Sequence, residues 1–196
     1  MEAAAWTDIV PSVALGIGLA ACAGLRAWLP LLLAGALARA GVIELGSSFQ
    51  FISSNRALVL FAVATVIEIV GDKFPAVDHA LDALSTVLRP AAGSLLAASV
   101  MWQISDPLTA VALGVAVGAP SALVPHAAKS LLRAGSTVLT GGLANPVLSF
   151  IEDAAALILF VLAVLVPVLV AAALLVVAFL LVRRVARRSP SAVSAT

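Results

Sequence analysis

Long, nearly uncharged apolar runs are the feature that most limits how this chain can fold. The runs cover residues 9–38, 57–71, 91–104, 108–124 and 154–182. Backbone N–H and C=O groups inside a bilayer have no water to bond, so a helix or a closed barrel must satisfy them. Barrel strands alternate polar and apolar residues, and these runs do not. We therefore predict an all-α integral membrane protein with a polytopic helical bundle.

The composition also indicates a membrane location. Of the 196 residues, 63% are hydrophobic and 11% are charged, whereas soluble domains average roughly 45–50% apolar and about 25% charged residues. So few charges cannot cover the surface of a soluble globule of this size. We expect residues 1–182 to form a single transmembrane domain and residues 183–196 to form a basic, disordered tail.

Four arginines directly follow the last apolar run and predict its orientation. They are Arg183, Arg184, Arg187 and Arg188. Basic residues beside a span are typically cytoplasmic, so we expect a multi-pass protein of the cell membrane with a cytoplasmic C-terminus. So short a basic stretch does not predict a nucleic-acid partner. The expected partners are the lipid bilayer and a small ion or solute. Whether the protein forms a homo-oligomer is left open by the sequence.

Prolines and charges interrupt the apolar runs and predict broken or re-entrant helices. Because of Arg26 and Pro30, the first run is tilted, kinked at Pro30 or broken, and Pro167 is the expected bend in the last run. Residues 77–88 and 126–139 have the spacing of amphipathic helices, which would lie on the outer surface or re-enter the membrane. Five crossings are predicted, or six or seven if an amphipathic stretch spans.

Two short internal matches suggest a repeat. Residues 37–41 match residues 131–135, and residues 77–80 match residues 124–127. The two alignments imply different repeat units, so at most one is a duplication, and chance agreement in a chain rich in Ala, Leu and Val is the alternative. A real inverted repeat would place a site at the repeat interface, as in many transporters.

Ionised side chains inside the runs are candidate site residues, because each is costly in a bilayer unless it is paired or hydrated. We interpret Arg26 as a cation in the bundle interior that neutralises carboxylates or holds an anionic group; alternatively, it marks an early end of the first span. Glu68 and Asp72 share one helical face, so they would bind a divalent cation or share a proton. Alternatively, Glu68 pairs with Arg26. Lys73 lies beside them and balances charge.

A second set of polar residues precedes the last run. Glu152 and Asp153 begin that run, where they either stabilise a helix N-terminus or act as ligands. Asn145 and Pro146 follow two glycines and predict a non-helical elbow, whose exposed carbonyls need a protein-lined or wet environment. This elbow favours a cavity near the two acids.

Opposite charges also recur at one-turn spacing in the two amphipathic stretches. Asp78 and Asp82 lie in the first stretch, and Lys129 and Arg133 lie in the second. We interpret the four residues as salt bridges between two surface helices.

Three motifs together resemble one family. They are Gly24-Leu25-Arg26 with Pro30, Glu68 through Gly71-Asp72-Lys73-Phe74-Pro75, and Gly142 through Asn145-Pro146 to Glu152-Asp153. Over residues 16–153 the chain resembles DUF4126, an uncharacterised family of bacterial integral membrane proteins. The resemblance implies a location in the bacterial inner membrane and implies no activity.

A second likeness concerns the segment Glu68-Ile69-Val70-Gly71-Asp72-Lys73. It is similar to the Glu-x-Gly-Asp-Lys signature of manganese/calcium–proton exchangers built from inverted repeats, with one extra residue before the glycine. This likeness implies cation chemistry at the acidic residues.

Costly charges beside helix breaks predict a function in transport. We expect a transporter or channel-like protein for a small ion, either a cation or a proton-coupled species, or for a solute. Glu68, Asp72 and either Glu152 or Asp153 would bind the cation or carry protons. A divalent cation at Glu68 and Asp72 is the single cofactor that we consider.

Two other functions stay open. A membrane-embedded, magnesium-dependent enzyme would use the pairs Glu68/Asp72 and Asp78/Asp82 to hold lipid or isoprenoid phosphates. A non-catalytic membrane scaffold would need no bound ion. The chain has no hydrolase, metalloprotease or nucleotide-binding motif. An enzyme is therefore a less favoured expectation than a transporter.

Overall fold

The computed structural model consists of helices joined by short connections throughout the residues that it describes. These are residues 3–188 apart from 74 and 105, with the side chains of 9–73, 84–104, 106–180 and 182–184. The helices are α1 (Ala3–Leu25), α2 (Trp28–Arg39), a 3-10 helix (Ser47–Ser53), α3 (Asn55–Gly71), α4 (Pro75–Val100), α5 (Pro107–Thr140), α6 (Asn145–Leu165) and α7 (Pro167–Arg188). The prediction of an all-α polytopic protein is confirmed.

Among the described residues, three helices are long and apolar enough to cross a membrane, namely α5, α6 and the Pro167–Arg184 part of α7. The 3-10 helix and α3 meet at 57° and together are long and apolar enough for either a broken fourth span or a re-entrant segment. Large apolar side chains cover the outside of these helices; Val138 and Leu139 are each 85% exposed. Such a surface suits a multi-pass membrane protein, and the number of crossings stays a prediction.

The first apolar run breaks at Arg26 rather than at Pro30. α1 ends one residue before Arg26 and α2 begins at Trp28, which puts Pro30 in the first turn of α2, where a missing N–H is tolerated. Ser12 in the first half of α1 and Glu44 in the segment after α2 line one cavity. The chain therefore reverses its direction at the break.

Treating residues 77–88 and 91–104 as separate segments, and likewise residues 108–124 and 126–139, was wrong. α4 continues through Pro90 and joins an amphipathic stretch to an apolar run, and α5 continues through Pro120 and Pro125. An interior proline removes a backbone hydrogen bond and clashes with the preceding turn. Here α1, α4 and α5 pack mainly against one another, and this packing holds the helices together across the prolines.

Glycines allow α4 and α5 to approach closely. A Cβ on Gly114 would lie 2.6 Å from both the Cβ of Ala98 and the carbonyl oxygen of Ser94, and one on Gly93 would lie 2.8 Å from the Cβ of Ala122. Such distances leave no room for a side chain, so the backbones meet as they do at small-residue interfaces between membrane helices.

The last apolar run is two helices that meet at Pro167, where we predicted a bend. α6 begins at Asn145, after a turn in which Gly141 and Gly142 have φ values of 63° and 87°. Glu152 and Asp153 thus lie about two turns inside α6, so placing them at the start of the run, as helix-capping acids, was wrong. α7 continues to Arg188 and extends six residues into the predicted tail; residues 189–196 lie outside the described part.

One end of the bundle, which we call the Trp102 end, gathers several helix ends around a cavity. Trp102 follows α4, Glu44 follows α2, and Pro167 begins α7, and all three line this cavity. Val164 of α6 lines it too and follows Glu152 by 12 residues, a helical rise of about 18 Å. Glu152 therefore lies far from the Trp102 end along the axis of α6.

The α4–α5 contact predicts opposite effects for two glycine substitutions on α5. Gly114→Ala should lower the free energy of unfolding by about 1–3 kcal/mol because the methyl group overpacks the interface. Gly135→Ala is the matched control, since nothing lies within 4 Å of its added Cβ; it should raise stability by about 0.5–1 kcal/mol through helix propensity. Detergent-based unfolding followed by circular dichroism measures both, and equal effects would contradict the packing.

Candidate functional site

A buried ion-pair network forms where the α1–α2 break meets α3, α4, α5 and α6; we call it the network. Its cationic members are Arg26, Lys73, Arg89, Lys129 and Arg133, and its carboxylates are Glu68, Asp72, Glu152 and Asp153. Arg26 and Arg89 have 0% and 1% of their surface exposed. Charged groups so far from water persist only when they are paired and hydrogen-bonded.

Arg26, in the link between α1 and α2, connects this link to α3 and α6. Its Nη1 is paired with Oδ2 of Asp72 at the end of α3. Its Nε lies 2.6 Å from Oδ1 of Asp153 on α6, and its Nη2 donates to Oγ of Ser149 at 3.0 Å. Both interpretations of Arg26 therefore describe it in part, because it lies at a helix end and is also a buried ion-pair partner.

Glu68 from α3 caps the N-terminus of α2. Its Oε1 accepts a hydrogen bond from the backbone N–H of Ala27 at 3.0 Å, and its Oε2 accepts one from that of Trp28 at 3.2 Å. The first N–H groups of a helix lack partners within the helix, and an anion is favourable there. Glu68 also lies 3.9 Å from Nη2 of Arg89, so the pairing of Glu68 with Arg26 that we considered is replaced by these contacts.

Asp72 is the central acceptor of the network. Its Oδ2 is paired with Arg26, with Nζ of Lys129 at 3.3 Å and with Nη2 of Arg133 at 3.2 Å. Lys129 also lies 3.0 Å from Oε2 of Glu152. Arg133 binds both oxygens of Glu152, at 3.1 and 2.9 Å, in the bidentate geometry that strengthens such pairs. Two α5 cations thus bridge α3 and α6.

The prediction that Lys129 and Arg133 lie on a surface helix was wrong. They are 2% and 4% exposed, whereas the neighbouring Leu131 and Leu132 are 75% and 64% exposed. In a bilayer the apolar face of an amphipathic helix turns outward to lipid, and the polar face turns inward to its partners. The proposed partners of this pair, the side chains of residues 78 and 82, lie outside the described part of the chain.

Lys73 and Asp153 form the rim of the network. Their side chains are 25% and 21% exposed, and Nζ of Lys73 lies 3.5 Å from Oδ2 of Asp153. The same Nζ lies 3.9 Å from the centre of the Phe150 ring, a favourable cation–π distance. This rim is the more accessible part of an otherwise buried network.

Arg89 of the network contacts a further polar residue, His126, and neither residue was among the predicted site residues. Nη1 of Arg89 lies 2.7 Å from Nδ1 of His126. A guanidinium group only donates hydrogen bonds, so Nδ1 of His126 accepts, and a neutral imidazole carries its proton on Nε2. Treating α4 as one helix through Pro90 would have placed Arg89 in a helix interior and marked it as a costly charge.

Asn145 lies apart from the network. Its Nδ2 donates to Oγ1 of Thr137 at 3.2 Å, in the connection between α5 and α6. The non-helical elbow that we predicted at Asn145 and Pro146 lies at Gly141 and Gly142 instead, and Asn145 begins a helix. The other predicted site residues, Arg26, Glu68, Asp72, Lys73, Glu152 and Asp153, come together.

The donor set does not fit a resident divalent cation at Glu68 and Asp72. Both oxygens of Glu68 accept backbone N–H groups, and Asp72 faces three cationic side chains. Within the described residues, no group of three or more His, Cys, Asp or Glu side chains is placed to hold a metal ion. The metal prediction therefore gains no support from the geometry.

A model of the family described as "Domain of unknown function (DUF4126)" matches residues 13–187. The chain belongs to this family. The match covers every member of the network in this DUF4126 protein, and it confirms the resemblance seen in its motifs. No curated protein and no solved structure is similar enough to count as a match.

The network predicts that Arg26 contributes far more to stability than an exposed arginine. Arg26→Gln should lower the free energy of unfolding by about 3–5 kcal/mol, because it leaves buried carboxylates with too little positive charge. Arg39→Gln is the matched control: Arg39 is exposed and bonds to Asn55, and its loss should change stability by less than about 0.5 kcal/mol. Denaturant titration in detergent measures both, and similar losses would count against a buried network.

Proposed function

We propose that this DUF4126 protein is a transporter or channel-like protein for a small ion or solute, and that the network is its functional site. The observation that carries the proposal is the burial of an ion-pair network around a helix break. Replacing buried ion pairs by well-packed apolar residues is often neutral or stabilising. Stability alone therefore gives little reason to keep nine ionised side chains together in this core (five cationic and four acidic, among those described).

Asp72 is the residue at which a change in charge would have the widest effect. A proton on its carboxylate would cancel the attraction for Arg26, Lys129 and Arg133 together. Lys129 and Arg133 would keep Glu152 as a partner, and Arg26 would keep Asp153. Loading Asp72 would thus loosen α3 from the α1–α2 link and from α5, which is the kind of two-state element that ions bias.

The pairs also form a continuous path from the rim to the centre. Asp153 at the rim contacts Arg26, and Arg26 contacts Asp72. Asp72 then shares Lys129 with Glu152. Chains of acidic groups with cationic partners are typical of proton and ion pathways in membrane proteins. This continuity favours a proton-coupled or ion-conducting function over a scaffold.

We place the protein in the bacterial inner membrane with its C-terminus in the cytoplasm. Arg183 and Arg184 lie near the end of α7 and satisfy the positive-inside rule in that orientation. α7 begins at Pro167, beside the Trp102 end, so that end faces away from the cytoplasm. The internal repeat stays a prediction.

The magnesium-dependent enzyme is less well supported than transport. It needs unoccupied oxygens on Glu68 and Asp72, and both residues already bond to backbone N–H groups or to cationic side chains. The other half of its acidic motif, residues 78 and 82, has side chains outside the described part.

Reconstitution into proteoliposomes tests the proposal. Uptake and efflux are measured for protons, monovalent and divalent cations, and small anions, with empty liposomes as background. We expect Asp72→Asn, which keeps the size of the side chain, to reduce flux to the background level while the protein still elutes as one species. Asp106→Asn is the matched control because Asp106 is exposed on the N-cap of α5, and it should leave flux unchanged.

The outcomes separate the alternatives. Full flux from folded Asp72→Asn protein would exclude the network as the route. Absence of flux in the unmodified protein, together with loss of a co-purifying partner from Asp72→Asn, would support the scaffold function instead.

A further inference from the structure

The Trp102 end contains two adjoining cavities that lie apart from the network. Their volumes are about 370 and 490 Å³, within the range of roughly 300–1,000 Å³ typical of small-molecule sites. Both are lined by Ile43, Glu44 and Trp102, so these three residues lie between the two spaces. The first cavity adds apolar walls from α1, α4 and the α6–α7 junction.

Glu44 supplies the charge of this site. It is exposed and, within the described residues, its carboxylate has no ion pair and accepts no hydrogen bond. It is also the one ionised side chain among the described residues that line either cavity. Among the described lining residues, a ligand in this space therefore meets a single negative charge and no cationic side chain.

Trp102 supplies an aromatic surface beside that charge. It is 44% exposed, so part of its indole is open to the cavities. Around it lie Leu15, Val42, Val100 and other apolar side chains. An indole face attracts cations through its quadrupole and recognises alkylated ammonium groups especially well.

We propose that the Trp102 end binds a small organic cation that carries an alkylated ammonium group. Glu44 neutralises the charge, the indole of Trp102 contacts the ammonium, and the apolar walls contact its alkyl groups. A bare metal ion does not suit the site, because Ca²⁺ and Mg²⁺ need six or more oxygen ligands and Glu44 is the one carboxylate among the described lining residues. The inference is independent of transport through the network, which lies about 18 Å deeper along α6.

The same ammonium chemistry has two sources at a membrane surface. A free solute can enter the cavities from water, and the headgroup of a phosphatidylcholine or phosphatidylethanolamine lipid can enter from the bilayer. The cavities lie at an end of the bundle where helices terminate, so both sources reach them.

Binding measurements in a maltoside detergent test the free solute, because that detergent headgroup has neither charge nor ammonium. Tetraethylammonium and choline are titrated into the full-length protein and followed by calorimetry and tryptophan fluorescence. Dimethylbutanol, an uncharged analogue of choline, and sodium chloride are the comparison ligands. We expect both ammonium compounds to bind and both comparison ligands to produce no saturable signal.

Variants identify the residues responsible. Glu44→Gln should weaken binding by about tenfold or more, a change of at least about 1.4 kcal/mol. Trp102→Leu should weaken binding, and Trp102→Phe should restore part of the affinity because it keeps an aromatic face. Asp106→Asn should leave affinity unchanged and controls for general surface charge.

Asp106 is a suitable control because it remains ionised at neutral pH. Hydrogen bonds from the side chain and the backbone N–H of Thr109 hold the pKa of Asp106 below its usual range. Asparagine is also a good N-cap residue, so the substitution removes the charge while keeping the start of α5.

A lipid arm distinguishes the two sources. The protein is placed in nanodiscs of phosphatidylglycerol, and phosphatidylcholine is then added to a matched set. If phosphatidylcholine weakens the binding of choline, and Glu44→Gln abolishes this competition, the lipid headgroup is the supported ligand. If phosphatidylcholine leaves the binding of choline unchanged, the free solute is the supported ligand. Wild-type affinity in folded Glu44→Gln, equal binding of dimethylbutanol, or absence of binding in both arms would overturn the proposal.

Discussion

The pairing of Asp72 with three cationic side chains is the interaction on which the arrangement of this bundle depends. Arg26 comes from the α1–α2 link, and Lys129 and Arg133 come from successive turns of α5. In a low-dielectric interior an ionised group without a partner is very costly, so these elements cannot separate without exposing charge to hydrocarbon. The same contact therefore fixes the end of α3, the break after α1 and the rotation of α5.

Close backbone packing sets the place where this pairing occurs. Gly24, two residues before Arg26, lies against the backbone of Ala122, and Gly118 lies against Gly93. These contacts bring α1, α4 and α5 together close to their charged residues, so that Arg26, Arg89 and Lys129 lie at a similar depth in the bundle. Small residues in membrane helices commonly permit such approach; here they also bring ionised groups within bonding distance of α3 and α6.

Six of the predicted site residues meet because the cost of charge in a bilayer is a reliable guide to interior positions. Arg89, Lys129 and Arg133 were missed or misplaced for two different reasons. Pro90 suggested a helix boundary next to Arg89, and the one-turn spacing of Lys129 and Arg133 is typical of a water-facing helix in a soluble protein. Around lipid the same spacing describes an inward face, and the sequence pattern alone does not distinguish the two.

The sequence by itself determined the helical membrane class, the family and most of the charges that need partners. These follow from local properties: hydrophobicity, backbone hydrogen bonding and the cost of ionised groups. Only the tertiary structure decided the helix break at Arg26, the continuity of α4 and α5 through their prolines, and the cavities around Glu44 and Trp102. Each of these depends on contacts between residues distant in the chain, such as Arg26 with Asp153, and local sequence does not encode which distant group will be near.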